Sequence, residues 1–269
     1  FPFVASFYLS FTDYDLLSSP EWVGTKNYEK LFTRDRTFDK SLSVTLTYVA
    51  MTVPLKLIFA LFIAVVLNYR LRGINLFRTA YYVPSILGGS IAIAVLWRYM
   101  FANTGLVNMV LTGLGFEAIN WFGDPDNALI TLNLLRCWQF GSAMVIFLAA
   151  LQSVDRSLYE AAAIDGANPW HIFRYITLPL ITPVIFFNLI MQTVQAFQEF
   201  NGPYIITQGG PLKSTYLLPL YIYDEAFKSF DMGYASAIAW VLFAIIMVLT
   251  LLAFWSSKKW VYYAGDTRS

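Results

Sequence analysis

Five stretches of this sequence stay apolar for twenty or more residues: 42–68, 77–100, 128–151, 180–200 and 232–257. A helix rises about 1.5 Å per residue, so about 20 such residues cross a hydrocarbon layer roughly 30 Å thick. A soluble domain has no use for five of them. Composition agrees: 58% of the 269 residues are hydrophobic, 13% are charged, and the mean hydropathy is +0.56. The opening run Phe1–Phe11 is apolar but half the needed length, and it lacks the basic head and small-residue cleavage site of a leader. We read it as the end of a sixth helix. The expectation is an all-α membrane protein, one transmembrane domain over 1–269 with about six helices, the first truncated.

Charge and chemistry narrow the function. Eighteen basic against seventeen acidic residues leave a net charge of +1, too little for a nucleic-acid face. Cys137 is the single cysteine and His171 the single histidine, so neither an internal disulfide nor a zinc site of the usual Cys/His type can be assembled. No Gly-x-x-x-x-Gly-Lys-Ser/Thr loop is present to cradle a nucleotide. Neither a catalytic residue nor a metal ligand set is expected. Paired carboxylates or a Ser/Lys dyad at one depth, as an intramembrane enzyme would need, are missing too.

Direction across the membrane follows from the loops. One side carries Arg70, Arg72, Arg78, Arg156, Arg174, Lys258, Lys259 and Arg268 within about 50 loop positions. The other carries Lys26, Lys30, Arg34, Arg36, Lys40, Arg98, Lys213 and Lys228 over about 90. The denser side is assigned to the cytoplasm. Its opposite holds the excursions 12–41, 101–127 and 201–231, and within the second, Leu106, Met109, Val110 and Leu114 suit a short helix lying in the interface.

Between the third and fourth complete spans lies a segment too polar to cross and too patterned to be a linker. Glu160–Ile164 is alanine-rich and favours helix. Gly166 permits a turn, Asn168 and Pro169 can start a second short helix, and Pro179 marks the entry to the next span. The apolar residues Trp170, Ile172, Phe173 and Ile176 of this elbow suggest a surface that another protein covers. An amphipathic elbow resting on lipid headgroups is the alternative.

Glu160-Ala161-Ala162, Gly166 four residues further on, then Ile176, Leu178 and Pro179 resemble the EAA signature of bacterial ATP-binding-cassette importer permeases. Tyr82-Val83-Pro84-Ser85, Trp138, Phe140-Gly141, Leu148–Gln152 and Thr207–Pro211 resemble the carbohydrate-uptake branch, typified by the larger membrane subunit of the maltose transporter. The resemblance implies a type I importer permease fold, with 155–179 as a cytoplasmic coupling loop and 201–231 as an extracytoplasmic loop. It implies a second permease subunit, two cytoplasmic ATPase subunits that bind ATP and Mg, an external solute-binding protein, a saccharide cargo and a place in the bacterial inner membrane. Glu160, Ala161, Ala162, Asp165 and Gly166 would couple to the ATPase. An ion-coupled secondary carrier is the rival reading, but it has no need of the elbow.

Asn188, Gln192, Gln195 and Glu199 recur at intervals of four, three and four, which puts them within about 60° on one helical face. A polar stripe in lipid is costly and should face the bundle interior, either gluing helices together or lining a cavity where amides and a carboxylate match sugar hydroxyls. By resemblance Tyr81, Ser85, Trp138 and Gln139 join that path, an aromatic among them able to stack on a sugar ring. Lys56 and Arg136 lie within spans, where they either pair with Glu199 or contact an anionic saccharide. Gly209-Gly210-Pro211 and Tyr216–Phe227 combine turn chemistry with an aromatic surface that, by resemblance, meets the binding protein. Asp224, Glu225 and Asp231 are expected to form a solvated face.

Overall fold

The computed structural model describes residues 2–15, 17–69 and 73–262. Phe1, Arg70, Arg72 and Arg268, used in the reading above, lie outside the described residues. In chain order the elements are α1 (Pro2–Leu9), the antiparallel pair β1 (Thr12–Asp13) and β2 (Glu21–Trp22), α2 (Lys26–Thr33), α3 (Arg36–Asn68), α4 (Ile74–Leu87), α5 (Ile91–Met100) and α6 (Leu106–Gly113). They continue with α7 (Pro125–Trp138), α8 (Gly141–Ser153), α9 (Arg156–Ile164), α10 (Pro169–Ile172), a π-turn (Phe173–Thr177), α11 (Leu178–Leu180), α12 (Thr182–Phe197), a second π-turn (Pro203–Thr207), α13 (Leu218–Phe227) and α14 (Met232–Trp260).

Among the described residues, α3 and α14 are each long and apolar enough to cross a membrane unbroken. The other three expected spans are interrupted: α4 with α5, α7 with α8, and Pro169–Leu180 with α12, the last pair bent by 65°. The reason is local at the first break. Gly88 and Gly89 are poor helix formers, and Ser90 starts α5 afresh by accepting a hydrogen bond from the Ala92 N–H at 3.2 Å. Pro84, the other candidate for the break, sits inside α4. The fourth predicted span also ends early, because α12 stops at Phe197 and leaves Glu199 beyond its last turn.

The chain forms two compact units. Unit one comprises the chain up to Met51, Gly89–Leu135 and Val194–Leu249. In it, Phe3 and Phe7 of α1 pack on Trp240 of α14 with ring centroids 4.6 Å apart in each case. The short helix expected in this stretch is α6: Leu106, Met109 and Val110 are exposed, while buried Asn108 donates to the carbonyls of Asn103 and Ile119 and accepts from the Ile119 N–H and Trp121 Nε1. One side chain thereby closes the whole following loop.

The expected solvated face is instead a network. Asp35 accepts from the Thr37 and Phe38 N–H groups at the start of α3, from Tyr221 Oη at 2.5 Å, and from the Tyr234 hydroxyl. Burial pushes its carboxyl up, but these four donors outweigh that and hold it below the usual carboxylate range. Asp231 pairs with Lys30 at 3.6 Å, Asp224 accepts from Tyr216 at 2.8 Å, and half-buried Glu225 has its carboxyl pushed up by burial. The starts of α3, α13 and α14 are thus tied at one carboxylate.

Unit two comprises Thr52–Gly88, Arg136–Thr193 and the chain from Thr250 on. Here α4 packs on α8 at Gly141, where a Cβ would come within 2.5 Å of the Tyr81 carbonyl oxygen. Only glycine allows that approach. Phe147, Met144 and Ala143 of α8 and Ala60 and Ala64 of α3 are fully or nearly fully buried in this unit.

Candidate functional site

The elbow belongs wholly to unit two and builds itself from neighbouring residues. Asp155 caps α9 by accepting from the Ser157 N–H at 3.0 Å, and that bond holds its carboxyl low. At the other end Gly166 takes a left-handed φ of +76°. Its N–H reaches the Ala163 carbonyl at 3.2 Å, and the Ala167 N–H reaches the Ala162 carbonyl at 3.0 Å. This pair of bonds is a Schellman motif, which satisfies carbonyls that a helix end would otherwise leave open. Nothing lies within 4 Å of a Cβ built on Gly166, so within the chain it is the backbone conformation that requires glycine there.

The return arm starts two residues later. Asn168 Oδ1 accepts from the His171 N–H at 2.9 Å, and Pro169 fills the first helical position, where its missing N–H costs nothing. Tyr159 Oη meets Thr177 Oγ1 at 3.2 Å and fastens α9 to the π-turn. Thr182 Oγ1 donates to the Pro179 carbonyl at 2.6 Å and accepts from the Tyr262 N–H at 2.9 Å, so the bend into α12 is pinned to the end of α14. Pro169, Ile172, Phe173, Tyr159 and Thr177 line a cavity of about 360 Å³ together with Val65, Asn68, Tyr69 and Leu151.

What the elbow presents is distinct from what holds it together. Ala162 is buried, whereas Glu160, Ala161 and Asp165 are exposed, Ile164 is 87% exposed and Trp170 67%. Ile172, Phe173 and Ile176, expected on the outer surface, are half-buried, and Ile164 and Tyr175 take their place. The exposed set is a partly apolar knuckle carrying two acids, Glu160 and Asp165. A well-ordered patch of that kind is what a protein partner recognises.

The polar residues of the spans divide differently. Gln139 Nε2 donates to the Gly88 carbonyl at 3.1 Å, and its Oε1 accepts from Arg136 at 3.1 Å. It therefore satisfies the carbonyl freed at the end of α4, as a broken helix in a membrane requires. Gly88 makes this possible, since a Cβ there would stand 2.7 Å from Gln139 Cδ. Arg136 occupies the last turn of α7, where the helix dipole favours a cation. Ser85 Oγ accepts from the Ser142 N–H at 3.1 Å, and the Tyr81 ring lies 5.9 Å from that of Phe140. Trp138 is partly exposed.

In α12, Asn188 is fully buried and neither of its amide atoms has a hydrogen-bond partner among the described residues; Gln192 is buried too. Gln195 is exposed, so the stripe is not one uniform face. Glu199, in unit one, accepts from the Gly202 N–H at 2.9 Å. Lys56, in the body of α3, is 5% exposed. The Gly88–Gln139–Arg136 chain is the arrangement that sequence reasoning missed. The adjacent glycines Gly88 and Gly89 within the span 77–100 were its only trace.

The descriptor "binding-protein-dependent transport system inner membrane component" is that of the family model matching residues 32–261, from the end of α2 through α14. A probable ABC transporter permease of Bacillus subtilis, YesP, is 51% identical over 265 residues, covering 97% of this chain and 86% of its own length. The lactose transport system permease LacF of Rhizobium radiobacter is 36% identical over 88% of this chain and 81% of its own. In three dimensions the chain is similar, with a TM-score of 0.83 and 22% identity over 96% of its length and 90% of the other, to a chain of a bacterial ABC transporter involved in the import of the acidic polysaccharide alginate. That likeness gives the fold of a type I importer permease. The protein is a member of the family of inner-membrane components of binding-protein-dependent transport systems.

Proposed function

We propose that this chain is the permease subunit of a saccharide importer of the bacterial cytoplasmic membrane, and that it converts ATP hydrolysis in partner subunits into movement of a sugar. The observation that carries the reading is the elbow at 155–179, whose shape is fixed by its own caps while its crest stays uncovered. A lever must be stiff, and it must be reachable. Two cytoplasmic ATPase subunits, holding ATP and Mg, would seat Glu160–Gly166 in a cleft, and their closure would push the elbow and tilt α8 and α12, to which it is joined on either side. A second permease subunit would complete the path, and a solute-binding protein would deliver cargo to the opposite face around 201–231.

The saccharide class is supported by relatives rather than by any one contact. Besides the lactose permease, they include a sulfoquinovosyl glycerol permease of Agrobacterium fabrum at 37% identity. Asn188, Gln192, Gln195 and Glu199, with Tyr81, Ser85, Trp138 and Gln139, supply amides, hydroxyls and rings suited to hydroxyl-rich cargo. Gly166→Asp tests the lever. An L-residue at that φ costs about 1–2 kcal/mol and distorts the crest, so we expect uptake to fall at least a hundredfold while the variant still inserts and purifies. Uptake and ATPase stimulation at parental levels, or transport by the purified chain with no ATPase present, would overturn the reading.

A further inference from the structure

The charges of unit two are unevenly placed. Its carboxylates among the described residues are Asp155, Glu160 and Asp165, and all three lie in the elbow. Lys56 stands twelve residues before the end of α3, about 18 Å along the axis, and is 95% shielded by the chain. An ammonium has three donors and no acceptor, and within hydrocarbon thickness it is expensive unless something accepts from it. No hydrogen bond from the described residues reaches Lys56, and the ionisable side chains within its electrostatic reach are another cation, Arg136, and the thiol of Cys137. Arg136 has Gln139 Oε1 and a helix C-terminus to hold it. Mid-helix Lys56 has neither.

A buried cation whose unit keeps its described acids in the elbow and sets a second cation nearby is a seat for an anion that comes from elsewhere. We infer that Lys56 receives a carboxylate of the cargo, so that the saccharide is an acidic one bearing uronate groups. This deepens the saccharide reading and rests on it. The ammonium supplies what the amides of α12 lack, a full charge that rewards carboxylate over the hydroxymethyl group of the matching neutral sugar.

The test uses the assembled transporter with its binding protein in proteoliposomes, offered di- to tetrasaccharides of galacturonate and the matching galactose oligomers. We expect the parent to carry the galacturonate series, Lys56→Met to lower its uptake at least tenfold, and Lys56→Arg to retain most of it, with all three assembling and purifying in equal yield. Equal loss in the Met and Arg variants, no loss in either, or a parent that carries the neutral series alone would overturn the inference and leave the saccharide reading standing. Recovery on adding Glu199→Gln to Lys56→Met would show that the lysine serves that carboxylate instead, which also overturns it. A parent that carries no member of either series, nor of a wider panel of neutral and acidic oligosaccharides, would sink the saccharide reading itself.

Discussion

The elbow and the interior of the spans treat polarity in opposite ways. Every turn-making group of the elbow finds its partner within five residues: Asp155 with Ser157, Gly166 with Ala163, Ala167 with Ala162, Asn168 with His171. Its apolar crest is left bare. Within the spans two buried polar groups lack such company, Asn188 with two idle amide atoms and Lys56 in a unit whose described acids all lie in the elbow. A region that completes its own shape can transmit a push without deforming. One that leaves donors and acceptors idle carries an energetic debt that another conformation or a passing solute can settle.

The contrast can be broken most severely at Glu160. Because that residue is exposed and bears no part of the fold, Glu160→Lys should abolish uptake, by a hundredfold or more, with the thermal unfolding midpoint of the detergent-solubilised protein unmoved. A large drop in that midpoint would mean the crest is structural after all. Asn188→Leu probes the other side. Replacing idle amide atoms with an isosteric apolar group should leave stability unchanged or raise it by about 1 kcal/mol, while uptake falls about tenfold. A loss of 2 kcal/mol or more would reveal a hidden partner and erase the distinction between the two regions.

Asp35 sharpens the comparison with an intermediate case, since its partners are complete but distant. Its carboxyl is held below the unfolded value of about 3.9. Its stabilising contribution is therefore whole above that pH and disappears as pH falls through the lower folded value. Glu225, Lys30 and Arg34 share the surrounding cleft. Asp35→Asn should remove this one part of the acid sensitivity, seen as a shallower decline of unfolding midpoint between about pH 4 and pH 2. An unchanged decline would overturn the assignment to Asp35, since Glu225, its carboxyl pushed up by burial, gains stability on acidification.

How much of this could be read in advance depends on how far apart the partners lie. The spans were legible because length and hydropathy are summed over neighbours, and the elbow because its caps and left-handed glycine act on adjacent residues. The breaks were less so. The bond that stabilises the end of α4 comes from Gln139, fifty-one positions away. The knot at Asp35 draws on Tyr221 and Tyr234, nearly two hundred positions further along. Pattern and propensity carry no information about such meetings. In the candidate path, residue types were legible but their company was not: Gln139 and Ser85 are engaged by backbone groups, Gln195 faces outward, and Glu199 falls past the helix that the stripe predicted.

The Schellman turn at Gly166 followed by the Asn168 cap has a bearing on ancestry and engineering. A knuckle whose turns are closed by partners within five residues is close to an interchangeable part. Grafting 155–179 onto a sister permease ought to bring its choice of engine along while the cargo preference of the host stays put, and lineages that duplicate such genes can trade drive and selectivity separately.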